Sequence, residues 1–195
     1  MQQTFILISS IIVFISYLIY EWSIVVGKTK PQRMTRFVLL LITILGTASL
    51  FAQHDKVAIW LLGICAAQSL VVFLLSFWYG MGGWAKTDFI CLGIALVGIV
   101  IWKMTNNPAL GLYAAVVSDL AGMVPALIKT YRFPNTEFWL SYILDVSAAA
   151  FTLLAIQKWE VQGFVYPAYL FIVNLVMLFF IIKPKVRHLV QPEAN

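Results

Sequence analysis

Apolar positions in this chain come in long continuous runs, broken by short polar stretches. The runs fall at about residues 4–26, 35–53, 57–79, 88–104, 108–129, 137–157 and 162–182. An α-helix needs about 20 apolar residues to cross a bilayer, and most of the runs approach that length. A transmembrane barrel would show alternating strands of about ten residues. These runs are longer and do not alternate, so the pattern predicts helices. The expected fold is an all-α integral membrane protein with seven transmembrane helices. The intervening stretches, "GKTKPQRMT", "QHDK", "GMGGWAKT", "TNN", "TYRFPN" and "KWEVQG", hold most of the charges and turn formers.

Composition agrees with that reading. The chain has 195 residues, 62% of them hydrophobic and 11% charged, where a soluble domain is about a quarter charged. The first residues, "MQQT", carry no basic stretch, and the run behind them is too long for a removable leader. It reads as the first membrane helix.

The net charge of +5 is unevenly placed. One alternating set of connections, with the C-terminus, holds Lys28, Lys30, Arg33, Arg36, Lys86, Lys129, Arg132, Lys183, Lys185 and Arg187, against Lys56, Lys103 and Lys158 in the other. The positive-inside rule places the richer set in the cytoplasm. The N-terminus is then outside and the C-terminus cytoplasmic. Basic charge of this kind serves orientation and lipid headgroups, so nucleic acid is not an expected partner. Trp22, Trp60, Trp78, Trp84, Trp102 and Trp159 lie near segment ends and suit an interfacial belt, while Trp139 sits just inside the sixth segment. Cys65 and Cys91 lie in apolar runs at different depths, which argues against a disulfide.

A phrase recurs along the chain. "WSIVVGKTKPQRMTRF" at 22–37 is echoed by "MVPALIKTYRFPNTEFW" at 123–139. Shifting the sequence by 103 lays Pro31 on Pro134, Gln32 on Asn135 and Arg33 on Thr136. With three extra residues in the second external turn, Gln68 meets Asn174. The first three helices thus match the last three, and the fourth restores the orientation of the second copy. The expectation is a parallel repeat about an axis along the membrane normal. It divides the chain into a first triple-helix bundle (1–83), a linker helix (84–106) and a second bundle (107–195).

This three-one-three plan resembles the PQ-loop superfamily, which includes the SWEET sugar carriers and the lysosomal cystine carrier. The segment "GMVPALIKTYRFPNTEF" carries the resemblance: Pro125–Ala126 stands where the family has Pro-Gln, and Thr136–Glu137 matches its Ser/Thr-Glu pair. In the first copy Trp22–Ser23 occupies the Pro-Gln position, and the literal Pro31–Gln32 comes nine residues later. The chain also looks like a group of bacterial seven-helix proteins sharing "GKTKP" and "YGxGG". Bacterial nicotinamide riboside carriers resemble the same helix plan. The resemblance implies a carrier, a bacterial inner membrane, and substrate-facing polar residues near Gln68 and Asn174.

Several residues can carry chemistry. Asp119 is central in the fifth segment, where an Asp costs about 2.5–3.5 kcal/mol to insert. It should face the protein interior or a wet cavity, as a solute or proton site or as a helix tie. Asp145 lies in the sixth segment. Counted from the cytoplasmic ends, Asp119 and Asp145 are about 15 and 12 Å deep, near enough for one cavity. Buried carboxylates can exchange protons near neutral pH. The amides of Gln68 and Asn174 donate and accept, which suits a sugar or other neutral polar solute, or hydrogen bonding between helices. Pro125 removes a helical hydrogen bond, leaving a hinge or a static kink. Glu21, near the inner end of the first segment, can snorkel, pair with Lys28 or Arg132, or gate. "GMGG" at 80–83 reads most simply as a tight turn, with a gate linker as the alternative.

His54 and His188 have no partners at ligand spacing, and no nucleophile elbow, phosphate loop or paired-His motif occurs. Neither a metal nor a cofactor is expected. The predicted activity is alternating-access transport of a small polar solute, with protons as a coupling partner where the aspartates titrate. The bilayer is the other partner, and a homo-oligomer is compatible with the plan. The rival expectations are a non-transporting receptor or scaffold, since the superfamily also resembles a cargo-retrieval receptor, and an intramembrane enzyme using the two aspartates.

Overall fold

The computed structural model describes residues 2–52, 58–83, 85–105, 108–157 and 161–190. Among the described residues, seven α-helices follow one another: α1 (Gln2–Val25), α2 (Arg33–Ala52), α3 (Ala58–Tyr79), α4 (Lys86–Met104), α5 (Pro108–Arg132), α6 (Trp139–Leu154) and α7 (Val161–Val190). The described residues contain no strand beyond one isolated bridge between Gln32 and Met81. The protein is therefore all-α, as the long apolar runs predict. Three described stretches are long and apolar enough to cross a membrane: Gln2–Val25, Tyr113–Arg132 and Phe164–Lys183.

Boundaries shift where local chemistry intervenes. Pro134–Thr136 forms a short 3-10 turn whose proline presets φ, and Glu137 continues as extended backbone. The sixth helix therefore starts at Trp139, two residues later than the apolar run suggests. The seventh continues past 182 to Val190, because nothing in "KPKVRHLV" stops it except Pro184, which the helix absorbs.

The helices form two compact units. One joins Met1–Thr29 with Lys129–Asn195, and the other is Lys30–Ile128. Helix α5 contributes to both, through Ile128 to one and from Lys129 to the other.

In the unit holding the two chain ends, α1 packs on α6 and α6 on α7. Phe5 meets Phe151, Ser9 meets Thr152, Ser16 meets Ser141 and Trp22 meets Phe138, so α1 and α6 run antiparallel. The buried face of α1 is polar and small. Ser9, Ser16 and Ser23 recur every seven residues with exposures of 8%, 1% and 0%, while Leu7, Ile11, Phe14 and Leu18 point outward. Hydroxyls and small residues between helices, with aliphatic chains outside, reverse the soluble-helix pattern and match lipid-facing bundles. Ile24, Met177 and Ile181 complete the buried core of this unit.

The other unit packs α2 on α3 and on α4. Its core is Val38, Ala95 and Ala121, with Ile42 and Leu92 against them. Two glycines set the spacing. A Cβ on Gly98 would collide with the Ser118 hydroxyl, and one on Gly122 would fall 2.6 Å from Val38 Cγ1. Small residues thus let α5 approach α4 and α2 closely.

Candidate functional site

The predicted site residues divide between the two units. Asp119, Gln68 and Pro125 belong to the unit 30–128, and Asp145, Asn174 and Glu21 to the other. Asp119 is 8% exposed, on α5 inside the membrane-length stretch Tyr113–Arg132. Its neighbour Ser118 is fully buried and donates to the Ala114 carbonyl at 2.8 Å, on the face that meets Gly98. Asp145 is half-buried on α6, one turn after fully buried Ser141. Gln68 is half-buried on α3. Asn174, also half-buried, donates to Leu170 O at 2.9 Å, which commits one amide hydrogen to its own helix. Pro125 is buried within α5, and the helix continues through it.

Glu21 is half-buried, and Lys28, one of the cations expected beside it, has another setting. The chain leaves α1 through Gly27, whose φ of 76° suits glycine. The Lys28 ammonium then stands 4.5 Å from the Trp22 ring centroid and 5.1 Å from that of Phe138. The turn is held by Lys28 and Thr29 N–H groups donating to Ser23 O, and by a 2.6 Å contact between the Ser23 and Thr29 hydroxyls. Trp139, whose role the sequence leaves open, is partly exposed beside Phe138.

The structure adds two polar clusters that pattern reading missed. In the first, Lys129 of α5 forms a buried ion pair with Glu137, across the connection between α5 and α6. Their side chains are 5% and 1% exposed. The Tyr142 hydroxyl donates to the other Glu137 oxygen at 3.0 Å. Glu137 is the acidic member of the Thr136–Glu137 pair, and the helix-breaking turn at 134–136 returns it to the end of α5. A Lys and a Glu bracketing a proline turn eight residues apart were the available signal.

The second cluster locks the "GMGG" segment onto the start of α2. Met81 N–H donates to Pro31 O at 2.9 Å. The Arg33 guanidinium donates to the carbonyls of Ser76 at 3.0 Å, Gly82 at 3.3 Å and Gly80 at 2.7 Å. Asp88 accepts from Gln32 Nε2 at 3.2 Å and from the Gly83 and Ala85 N–H groups at 3.1 and 3.0 Å. Gln32 Oε1 in turn caps the Thr35 N–H at 2.8 Å. The glycines follow from this docking: Gly82 and Gly83 have φ of 73° and 105°, and a Cβ on Gly80 would fall 2.7 Å from Pro31 O. The "GMGG" segment is a tight turn, docked by the literal Pro31–Gln32.

Cys65 and Cys91 are free thiols. Among the described residues no group of His, Cys, Asp and Glu could hold a metal ion. His54, Lys56, Trp84, Lys158 and Trp159, and the side chains of Trp60, Trp102 and His188, lie outside the described residues. Comparison with protein-family models, with curated proteins and with solved structures gives no match.

Proposed function

We propose that the protein is a seven-span membrane carrier for a small polar solute (sugar-like, amino-acid-like, or a nucleoside or vitamin) working by alternating access. One observation carries the reading: Asp119 is buried midway along a membrane-length apolar stretch that carries Pro125 one and a half turns further on. An intramembrane carboxylate is expensive and marks solute or ion pathways in membrane proteins. A proline in the same helix supplies a point of weakness. The outward aliphatic faces and inward serines of α1 support a lipid setting. The basic residues of alternate connections support a cytoplasmic C-terminus, and the bacterial inner membrane is what the family resemblance implies. The PQ-loop resemblance rests on Pro125–Ala126 and Thr136–Glu137. In this reading Asp119 binds solute or proton, Asp145 assists, and Gln68 and Asn174 recognise polar groups.

A second reading, a non-transporting receptor or scaffold of the same fold, draws on the closed clamp at Gln32, Arg33 and Asp88. The experiment that separates them is thermal unfolding in detergent against sugars, amino acids, nucleosides and vitamins at two pH values, followed by flux into liposomes. A ligand at a hundred times its Kd stabilises by about 2.7 kcal/mol. The carrier reading expects a hit that Asp119→Asn abolishes, and flux of that solute. Binding without flux selects the receptor. A flat panel with a fully stable Asp119→Asn variant removes Asp119 from any solute site.

A further inference from the structure

We propose that one rim of the unit holding the two chain ends, where α1 and α5 stop and α6 starts, binds an anionic phospholipid. Lys28, Arg132 and Lys183 meet its phosphate group, and Trp22, Tyr131 and Phe179 meet the lipid just below it. The site needs a bilayer and does not depend on the carrier reading.

Each described stretch long and apolar enough to cross a membrane ends at or beside one of these cations. Gln2–Val25 stops three residues before Lys28, Tyr113–Arg132 closes on Arg132, and Phe164–Lys183 closes on Lys183. The fold gathers those ends. Trp22 of α1 meets Phe138 at 6.0 Å between ring centroids, Tyr131 of α5 meets Phe180 of α7 at 5.3 Å, and the turn at Pro134–Thr136 packs on α7. All of these residues belong to one compact unit. Counting charge per connection gives an orientation. It does not place three cations from distant parts of the chain around one turn.

The cations are positioned without being neutralised. Lys28 lies over Trp22 and Phe138, and Lys183 lies 5.7 Å from the Phe179 centroid. A ring engages one side of an ammonium and leaves its other N–H bonds for an anion. Among the described residues none of the three cations meets a carboxylate, and Glu137, the acid beside the turn, is held by Lys129. All three cations are exposed. The rings face outward too, with Trp22, Tyr131 and Phe179 exposed by 49%, 65% and 57%. Aromatic side chains of this kind sit at headgroup level. A cluster of Lys and Arg beside them suits a phosphodiester, which Arg can grip through two N–H groups. A zwitterionic lipid brings its own cation, which the cluster repels. The charge therefore selects an anionic lipid.

The test is native mass spectrometry of the full-length protein in detergent, titrated with phosphatidylglycerol, phosphatidylcholine or inorganic phosphate. A first phosphatidylglycerol should bind saturably and more tightly than phosphatidylcholine. Lys28→Gln, Arg132→Gln and Lys183→Gln should each weaken it about fivefold. Trp22→Leu, which keeps the charge and removes its platform, should weaken it about twofold. The controls remove one exposed charge each from the other unit: Lys86→Gln and Lys103→Gln should leave the affinity unchanged. Equal weakening in the controls would reduce the effect to diffuse charge attraction and overturn the site. Equal binding of the two lipids would also overturn it. Displacement of phosphatidylglycerol by millimolar inorganic phosphate would assign the cluster to a free anion and overturn the lipid assignment.

Discussion

The two polar clusters solve the same problem in opposite ways. Each ties a loop to a helix end, and each buries a carboxylate in an otherwise apolar chain. At the end of α5, two opposite charges satisfy each other, with Tyr142 completing Glu137. At the start of α2, Arg33 is spent on three carbonyls, and Asp88 on two backbone N–H groups and the Gln32 amide. In a mutual pair each charge depends on the other, so removing one leaves its opposite buried. A charge distributed over backbone groups cannot leave without unravelling the loop that supplies them. The difference separates a contact that stands or falls with one partner side chain from one held by the backbone of the turn itself.

The comparison breaks most easily at Glu137. Glu137→Leu leaves Lys129 buried without its partner and should cost about 3–5 kcal/mol. The double variant Lys129→Met with Glu137→Leu should recover most of that loss, because apolar replacement of both charges is often neutral or better. Thermal unfolding of the two variants in detergent checks this. A double variant as unstable as the single one would mean that packing, rather than charge, sets the cost. The other cluster should not show such a rescue. Asp88→Ala orphans the Gly83 and Ala85 N–H groups and should cost about 2 kcal/mol. Adding Arg33→Met to it should deepen the loss, as Arg33 serves different acceptors. The smallest effect is expected at Gly82, where an alanine must adopt φ of 73°. Its Cβ would stand 3.2 Å from Gln32 Nε2, so Gly82→Ala should cost about 1–2 kcal/mol, mostly backbone strain. A neutral Gly82→Ala would show that the docked turn can relax.

Much of the fold was legible in the chain itself. Long apolar runs give helices because nothing else in them competes for the backbone, and every predicted run has a helix in it. Candidate residues were legible only as residue types. An Asp in an apolar helix announces its cost, and Asp119 is indeed buried. The clusters were not legible, because Gln32 and Arg33 fall in a polar connection, and Lys129, Glu137 and Asp88 stand at the very ends of apolar runs, where charge reads as ordinary. Charge in a loop is normally solvated, and only the path of the chain shows which charges turn inward. "GMGG" was readable as a turn, but not as a turn whose glycines are fitted to Pro31, Gln32 and Arg33.

The sequence by itself determined the all-α character, since it follows from composition and period along each segment; of the seven runs expected to span a bilayer, three described stretches are long and apolar enough to do so. Only the tertiary structure decided that α1 packs with α6 and α7, that serines at 9, 16 and 23 face inward, and that two loops are closed by buried charges. Those depend on contacts between residues far apart in the chain, such as Ser16 with Ser141, 125 positions on. Periodicity tells a helix which of its faces is different. It does not tell the helix which neighbour that face will meet.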